Sequence, residues 1–276
     1  MTQRSLGTLV ALLALASWHV AEAQQHQQAA PRRGGTRTAT TEPTDTAGKA
    51  DPSSTDKVIA ELVAWKTKSA EAMLDEAPAE LAGTAPFIAA TGLLRFNTGK
   101  AQDALDLLRN ASAADATDPM PEYFAGEVLA AQRKHDAASA SWVKARNRAR
   151  ARVEADPKDG RSQYYLAAAL IRLKQIGPAR QALTKAGENG FDPRMCAFQK
   201  GQSHVQPAEW RDAKEAFDAV LELDPLFAPA YFYRGLTWSK LGRNDKMVED
   251  LDQFIKLAPS SPDADAARAM LGAYAG

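Results

Sequence analysis

Residues 228–261 read APAYFYRGLTWSKLGRNDKMVEDLDQFIKLAPSS, and the placement of Gly235, Met247, Leu251 and Pro259 within that stretch decides the fold. The same places recur along the chain. Gly92, Gly126, Ala167, Gly201 and Gly235 are equivalent; twelve residues after each stands Ala104, Ala138, Ala179, Ala213 or Met247, and four residues later Leu108, Trp142, Leu183, Phe217 or Leu251. The resulting frames are 85–118, 119–159, 160–193, 194–227 and 228–261, four of 34 residues and one of 41. A fixed period of this length signals stacked supersecondary units rather than one closed core.

Within a frame the spacing predicts two helices. In the last frame a helix over 229–241 is broken by the Gly-Arg-Asn-Asp turn at 242–245, and a second runs over 246–257. So short a turn makes the two antiparallel. Gly235 lets the backbones approach, and Leu251 and Phe254 fill the neighbouring groove. Pro225 and Pro259 stop the second helices, and the Asp-Pro pairs beginning at 118, 156, 192 and 224 mark the same junction elsewhere.

The order Tyr231, Arg234, Gly235, Trp238, Met247, Leu251, Pro259 in the last frame, and Ala197, Lys200, Gly201, His204, Ala213, Phe217, Pro225 in the fourth, resembles the tetratricopeptide repeat signature. The resemblance covers 85–261. It implies an all-α fold, a right-handed superhelical solenoid of about five helix pairs whose first helices line a concave face that holds extended peptides. Some frames depart from the pattern. Lys200, Arg234 and His204 stand where the family has leucine or an aromatic, and the two cations are expected to bury their stems and carry their charges to water. Met247 and Phe254 together replace alanines. The first frame is the weakest, with Ile88, Thr91 and Arg95 at signature places.

Arg4, the apolar run 6–18 and Ala21-Glu22-Ala23 read as a secretory signal peptide over 1–23, too short to span a bilayer, so that a mature chain would begin at Gln24 with no transmembrane segment. Residues 24–54 contain no leucine, isoleucine, valine or aromatic residue and are expected to be a disordered linker. From Thr55 an apolar stripe of Val58, Ile59, Leu62, Trp65, Met73 and Leu74 predicts a helix, N-capped by Ser54 or Thr55, in a region 55–84 that covers the open face of the first repeat. An alanine-rich helix within 262–276 is expected to cover the last repeat. The leader and the alanine-rich helices together suggest an exported protein, periplasmic or secreted, of a bacterial envelope.

With 34 acidic and 34 basic residues the chain offers no global electrostatic case for nucleic acid. Its single cysteine, Cys196, cannot close an internal disulfide; it reads as a small apolar residue of a first helix, with a bridge to another chain as the alternative. No catalytic pattern is present. His19 falls in the leader, His26 in the linker, and His135 and His204 in different frames without metal-ligand spacing; no nucleophile elbow, phosphate loop or strand pattern occurs. Asp250 and Asp252 read as a solvated acidic pair. No enzyme, metal or cofactor is expected.

Two features are candidates for partner contact. The fifth residue of frames two to five is aromatic, Tyr123, Tyr164, Phe198 and Phe232, a row that serves packing between repeats or packing plus ligand contact. Glu127, Arg172, Gln202, Gln206 and Lys240 supply a mixed polar set around it. The asparagine that relatives use to clamp a peptide carboxylate is replaced by Leu93, Glu127, Ala168, Gln202 and Leu236, so the resemblance does not extend to that clamp or to chaperone docking. The second candidate is KARNRARARVEADP at 144–157, where seven extra residues should extend a second helix by about two turns at roughly 3.6 residues each. Lys144, Arg146, Arg148, Arg150 and Arg152 there spread around the helix, either as a solvated surface or as a site for an anionic lipid, polymer or acidic protein face. The readings that follow are a non-enzymatic adaptor that holds a protein segment or envelope complex on its concave face, a binder of an anionic envelope component, or a non-catalytic subunit of an envelope enzyme.

Overall fold

A computed structural model describes residues 52–275. The expected leader and nearly all of the expected linker lie outside these residues. Thirteen α-helices and one short 3-10 turn, Ala79–Leu81, make up the described chain, which has no strand.

Ten of the helices form five hairpins, one per frame. They are α3 (Ala85–Asn97) with α4 (Ala101–Ala114), α5 (Met120–Ala131) with α6 (His135–Ala155), α7 (Gly160–Arg172) with α8 (Ile176–Glu188), α9 (Pro193–Val205) with α10 (Trp210–Leu223), and α11 (Ala228–Lys240) with α12 (Asn244–Leu257). The last turn is tighter than the sequence predicts. Three residues, 241–243, suffice because Gly242 takes a left-handed conformation at φ 75° and its N–H bonds the Ser239 carbonyl while Arg243 N–H reaches back to Trp238. The fifteenth residue of every frame does the same: Gly99, Arg133, Lys174, Ala208 and Gly242 all have φ between 60° and 81°.

The small residue near the middle of each first helix is there because the second helix lies against it. A Cβ on Gly201 would stand 2.7 Å from Phe217 Cδ1, and one on Gly235 3.2 Å from Leu251 Cδ2. Leu108, Phe217 and Leu251 are at most 1% exposed at these crossings. The seven extra residues of the second frame do lengthen its second helix: α6 has 21 residues where the second helices of the other frames have 13 or 14.

The region before the array departs from expectation. One helix from Thr55 is observed as two, α1 (Pro52–Val63) and α2 (Thr67–Asp75). Trp65 breaks them with φ 62°, and Lys66 N–H bonds the Glu61 carbonyl in the pattern of the other five turns. Trp65 lies 34 residues before Gly99, and the buried Ala70 and Leu74 lie 34 before Ala104 and Leu108. This is a sixth hairpin in register with the array. Its first helix carries Val58 where the others carry glycine or alanine, so the close approach that marks the motif in sequence is missing.

Helix α1 packs on the first helix of the first repeat, as expected of a cover, and also reaches beyond it. Val58, Ile59 and Leu62 are buried on one side and Ala60 and Ala64 on the other, and burial on opposite sides marks a core helix rather than a surface one. Val58, Ile59 and Leu62 join the core of repeats one to three, whereas Val63 and Ala64 pack with Phe198, Phe217 and Phe227. Asn97 Nδ2 donates to the Leu62 carbonyl (2.8 Å), and Ala228 N–H to that of Ala64 (3.3 Å), so the segment ties the first repeat to the fifth. At the other end α13 (Ala264–Ala275) sets Ala267 and Met270 against Met247, Leu251 and Phe254.

Candidate functional site

The first helices place their middle and last turns around one inner recess. Arg172, from the end of α7, donates two hydrogen bonds to the Glu127 carboxylate of α5 (2.8 and 2.6 Å) and one to Gln202 Oε1 of α9 (2.8 Å). The Tyr233 hydroxyl of α11 lies beside its guanidinium, close enough for the two to interact electrostatically. Four repeats thus meet at one side chain. The bidentate geometry is the strong form of an arginine–carboxylate contact, yet Arg172 and Glu127 each keep 23% of their side-chain surface open to solvent.

Lost hydration and neighbouring charges set the electrostatics around Arg172. Loss of hydration pushes the Tyr233 phenol up to about 12, with the nearby Asp263 and Glu127 charges adding to the shift and Arg172 opposing it. Asp263, in the turn before α13, is exposed at the rim, but the protein around the recess displaces enough water to push its carboxyl up to about 6. Arg172 lowers that value and Glu127 raises it.

Glu127, Arg172 and Gln202, expected from the sequence on an inward polar face, are therefore brought together. Gln206 is not part of the recess chemistry: its amide donates to the Ile171 carbonyl (2.8 Å), closing the end of α7. Lys240 is exposed. Of the two readings of the aromatic row, the structure has packing. Tyr123, Tyr164, Phe198 and Phe232 are 3%, 1%, 5% and 7% exposed, too buried to meet a ligand. Tyr164 stacks on Phe191 at 4.5 Å between centroids, Phe198 packs against Phe217, Phe227 and Tyr233, and the Tyr123 and Tyr164 hydroxyls share the amide of the buried Gln199. Packing between repeats consumes the whole row.

The arginine-rich extension is likewise divided. Arg148 turns inward to the Asp118 carbonyl (3.1 Å) and, at 3.5 Å, Glu122; Lys144 approaches the same carboxylate at 3.9 Å, and Arg152 bonds Asp159 (3.4 Å). Arg146 bonds its neighbour Asn147, and Arg150 is exposed. The five cations do not form one patch. Arg234 is not solvated either: it bonds Asp250 in bidentate fashion (2.8 and 2.7 Å) and Asp218 (2.8 Å), so Asp250, 5% exposed, is an internal partner rather than half of a solvated pair. Cys196 is partly buried, and burial pushes its thiol up to about 12. His204, Glu209 and Asp212 bring ligand atoms within 4.8 Å of one another. The Arg180 guanidinium already occupies that cluster, bonding Glu209 and lying 3.0 Å from His204 Nδ1, and a resident cation opposes a metal there.

Sequence reasoning missed Tyr233, Asp263, Arg161 and Arg194. Tyr233 adjoins a residue that was singled out, and the frame would have offered it. For Arg161 and Arg194 no local signal exists, because their partners in α1 lie 105 and 133 residues away.

The described residues thus define a solenoid of helix hairpins. Residues 201–272 match the tetratricopeptide repeat family. The solved structure of TTC0263, a thermophilic TPR protein of Thermus thermophilus, is 16% identical and superposes with a TM-score of 0.52 over 68% of this chain and 99% of that one. A chain of the APC/C hetero-tetramer Cut9-Hcn1 is 15% identical with a TM-score of 0.50 over 79% and 42%. YrrB, described as a TPR protein with an unusual peptide-binding site, is 24% identical with a TM-score of 0.38 over 71% and 97%. No curated protein matches the sequence. The fold is that of tetratricopeptide repeat proteins, and residues 201–272 carry the match to that family. Among the described residues no helix is long and apolar enough to cross a membrane.

Proposed function

We propose that this protein is an exported, non-enzymatic adaptor of the bacterial envelope that holds a protein segment at the inner recess around Arg172. The observation that carries the reading is that four repeats converge on a charged pair left open to solvent. Polar groups of folded proteins are matched internally when buried; here the Glu127–Arg172 pair is matched and also accessible. A segment entering the recess can bond the free lone pairs of Glu127, the Tyr233 hydroxyl and the Asp263 carboxylate. The leader read at 1–23 supports an envelope location.

The test is affinity capture from envelope extract with wild type and the double variant Glu127→Gln/Arg172→Gln. Changing both residues removes the charges without leaving either one buried alone. Loss of specific captured proteins at unchanged helicity supports the recess; an unchanged captured set rejects it.

A further inference from the structure

The sixth hairpin offers something the recess does not. Its helix α1 and the turn after it reach the starts of the first helices of repeats three, four and five. Asp56 bonds Arg161 of α7 (2.9 Å), Glu61 lies 3.2 Å from Arg194 of α9, and Lys66 bonds Asp224 beside α11 (2.6 Å). We propose that hairpin α1–α2 is a self-ligand of the array, displaced by an amphipathic partner helix that presents two carboxylates five residues apart beside an apolar stripe, as Asp56 and Glu61 flank Val58, Ile59 and Leu62.

Three observations make the hairpin separable from what it covers. First, the array's arginines keep carboxylate partners of their own. Arg161 also makes a bidentate contact with Asp118 (3.0 and 3.1 Å), and Arg194 bonds Asp192 (2.7 Å) and Asp224 (3.2 Å). Departure of α1 therefore strands no arginine, which is the usual penalty for breaking a buried pair. Second, the hairpin hangs on a tether without an anchor: no residue from 75 to 84 is buried. Third, α2 contributes only Ala70 and Leu74 to the core, whereas every second helix of the array buries at least three residues, so the hold of the hairpin rests on α1. A weakly buried second helix and an exposed connection are the marks of a segment that opens below the global unfolding threshold. The displacing helix must restore the contacts of α1, which sets its chemistry: acids for Arg161 and Arg194, and aliphatic side chains for the surface left by Val58, Ile59 and Leu62. This surface is distinct from the Arg172 recess, so either site can fail its test while the other stands.

Native-state hydrogen exchange on the wild-type chain gives the first measurement. Amides of 55–64 are expected to exchange at least tenfold faster than those of α7 and α9; exchange of all three in one unit would make the hairpin ordinary core and overturn the proposal. The second uses the full chain carrying Asp56→Lys and Glu61→Lys, whose reversed charges oppose Arg161 and Arg194. This variant should bind a fluorescein-labelled peptide of residues 52–66 at least tenfold more tightly than wild type, in which the site is occupied, and should ignore the same peptide with both acids changed to lysine. Equal binding by wild type and variant, no binding, or loss of protection in α7–α11 of the variant would each overturn it.

Discussion

Replacing the inter-helix glycines one at a time by alanine separates two effects that sequence alone cannot rank. Each substitution removes a glycine from a helix interior, worth roughly 1 kcal/mol of stability, and each adds a methyl to a helix crossing, where overpacking costs roughly 1–3 kcal/mol. At Gly235 the new Cβ would meet Leu251 Cδ2 at 3.2 Å and Asp250 Cβ at 3.3 Å, so the neighbours need move only a few tenths of an ångström. The two effects nearly cancel, and Gly235→Ala should stay within about 1 kcal/mol of wild type. At Gly201 the Cβ would lie 2.7 Å from Phe217 Cδ1 and Cζ and closer still to Cε1. Phe217 is fully buried, packed on Phe198 and stacked on Tyr233, and cannot swing aside. The cost there falls at the upper end, and Gly201→Ala should lose about 2 kcal/mol net. Urea unfolding followed by circular dichroism reads both, provided the slope of each transition is unchanged so that a midpoint shift is a stability change. Because each repeat of a solenoid contacts chiefly its neighbours, hydrogen exchange should place the damage in the fourth hairpin and those beside it. Equal midpoints for the two variants, or a Gly201→Ala midpoint at or above wild type, would refute the packing argument.

Ala208, at φ 62°, holds a left-handed conformation that costs an ordinary residue roughly 1–2 kcal/mol, so Ala208→Gly should raise stability by about 0.5–1 kcal/mol after the glycine's extra unfolded-state entropy; an unchanged or lower urea midpoint would contradict this. Asp263 has a folded-state pKa of about 6, above its ordinary 3.8, so the fold binds that proton more tightly than the unfolded chain and this group's contribution to stability grows as pH falls from about 6 to about 4. A carboxyl NMR titration should find the midpoint near 6, moved down by Glu127→Gln and up by Arg172→Gln; a midpoint near 4 in wild type would rule out the dehydrated recess. Charge reversal should cost more stability at Arg148, which faces Glu122 and the Asp118 carbonyl, than at exposed Arg150, where surface substitutions stay within about 0.5 kcal/mol; matching thermal denaturation curves would count against that division of the extension.

Much of the architecture was legible because it is local. Gly235 and Leu251 belong to helices joined by three residues, and their contact follows from spacing alone. Gly242 marked the turn of the last frame, although the use of the same place by Arg133, Lys174 and Ala208 did not show in residue type. The sixth hairpin was hidden for the opposite reason. Val58 replaces the small residue, and Trp65, a bulky side chain in a left-handed turn, disguises the break. The inward polar set was half legible: Glu127, Arg172 and Gln202 could be placed on one face, but not Asp263, which arrives from the far end of the chain.

The amino-acid order by itself determined the period, the pairing of helices within each frame, the longer helix α6 and the absence of any chemical motif, since all of these depend on residues a few positions apart. The tertiary structure decided whether Tyr123, Tyr164, Phe198 and Phe232 would face solvent or one another, which arginines would find carboxylates, and that α1 would reach Arg161 and Arg194 as well as the first repeat. Those outcomes depend on how tightly successive hairpins coil, and the coil sums small angles between repeats whose contacts span 30 to 133 residues of sequence.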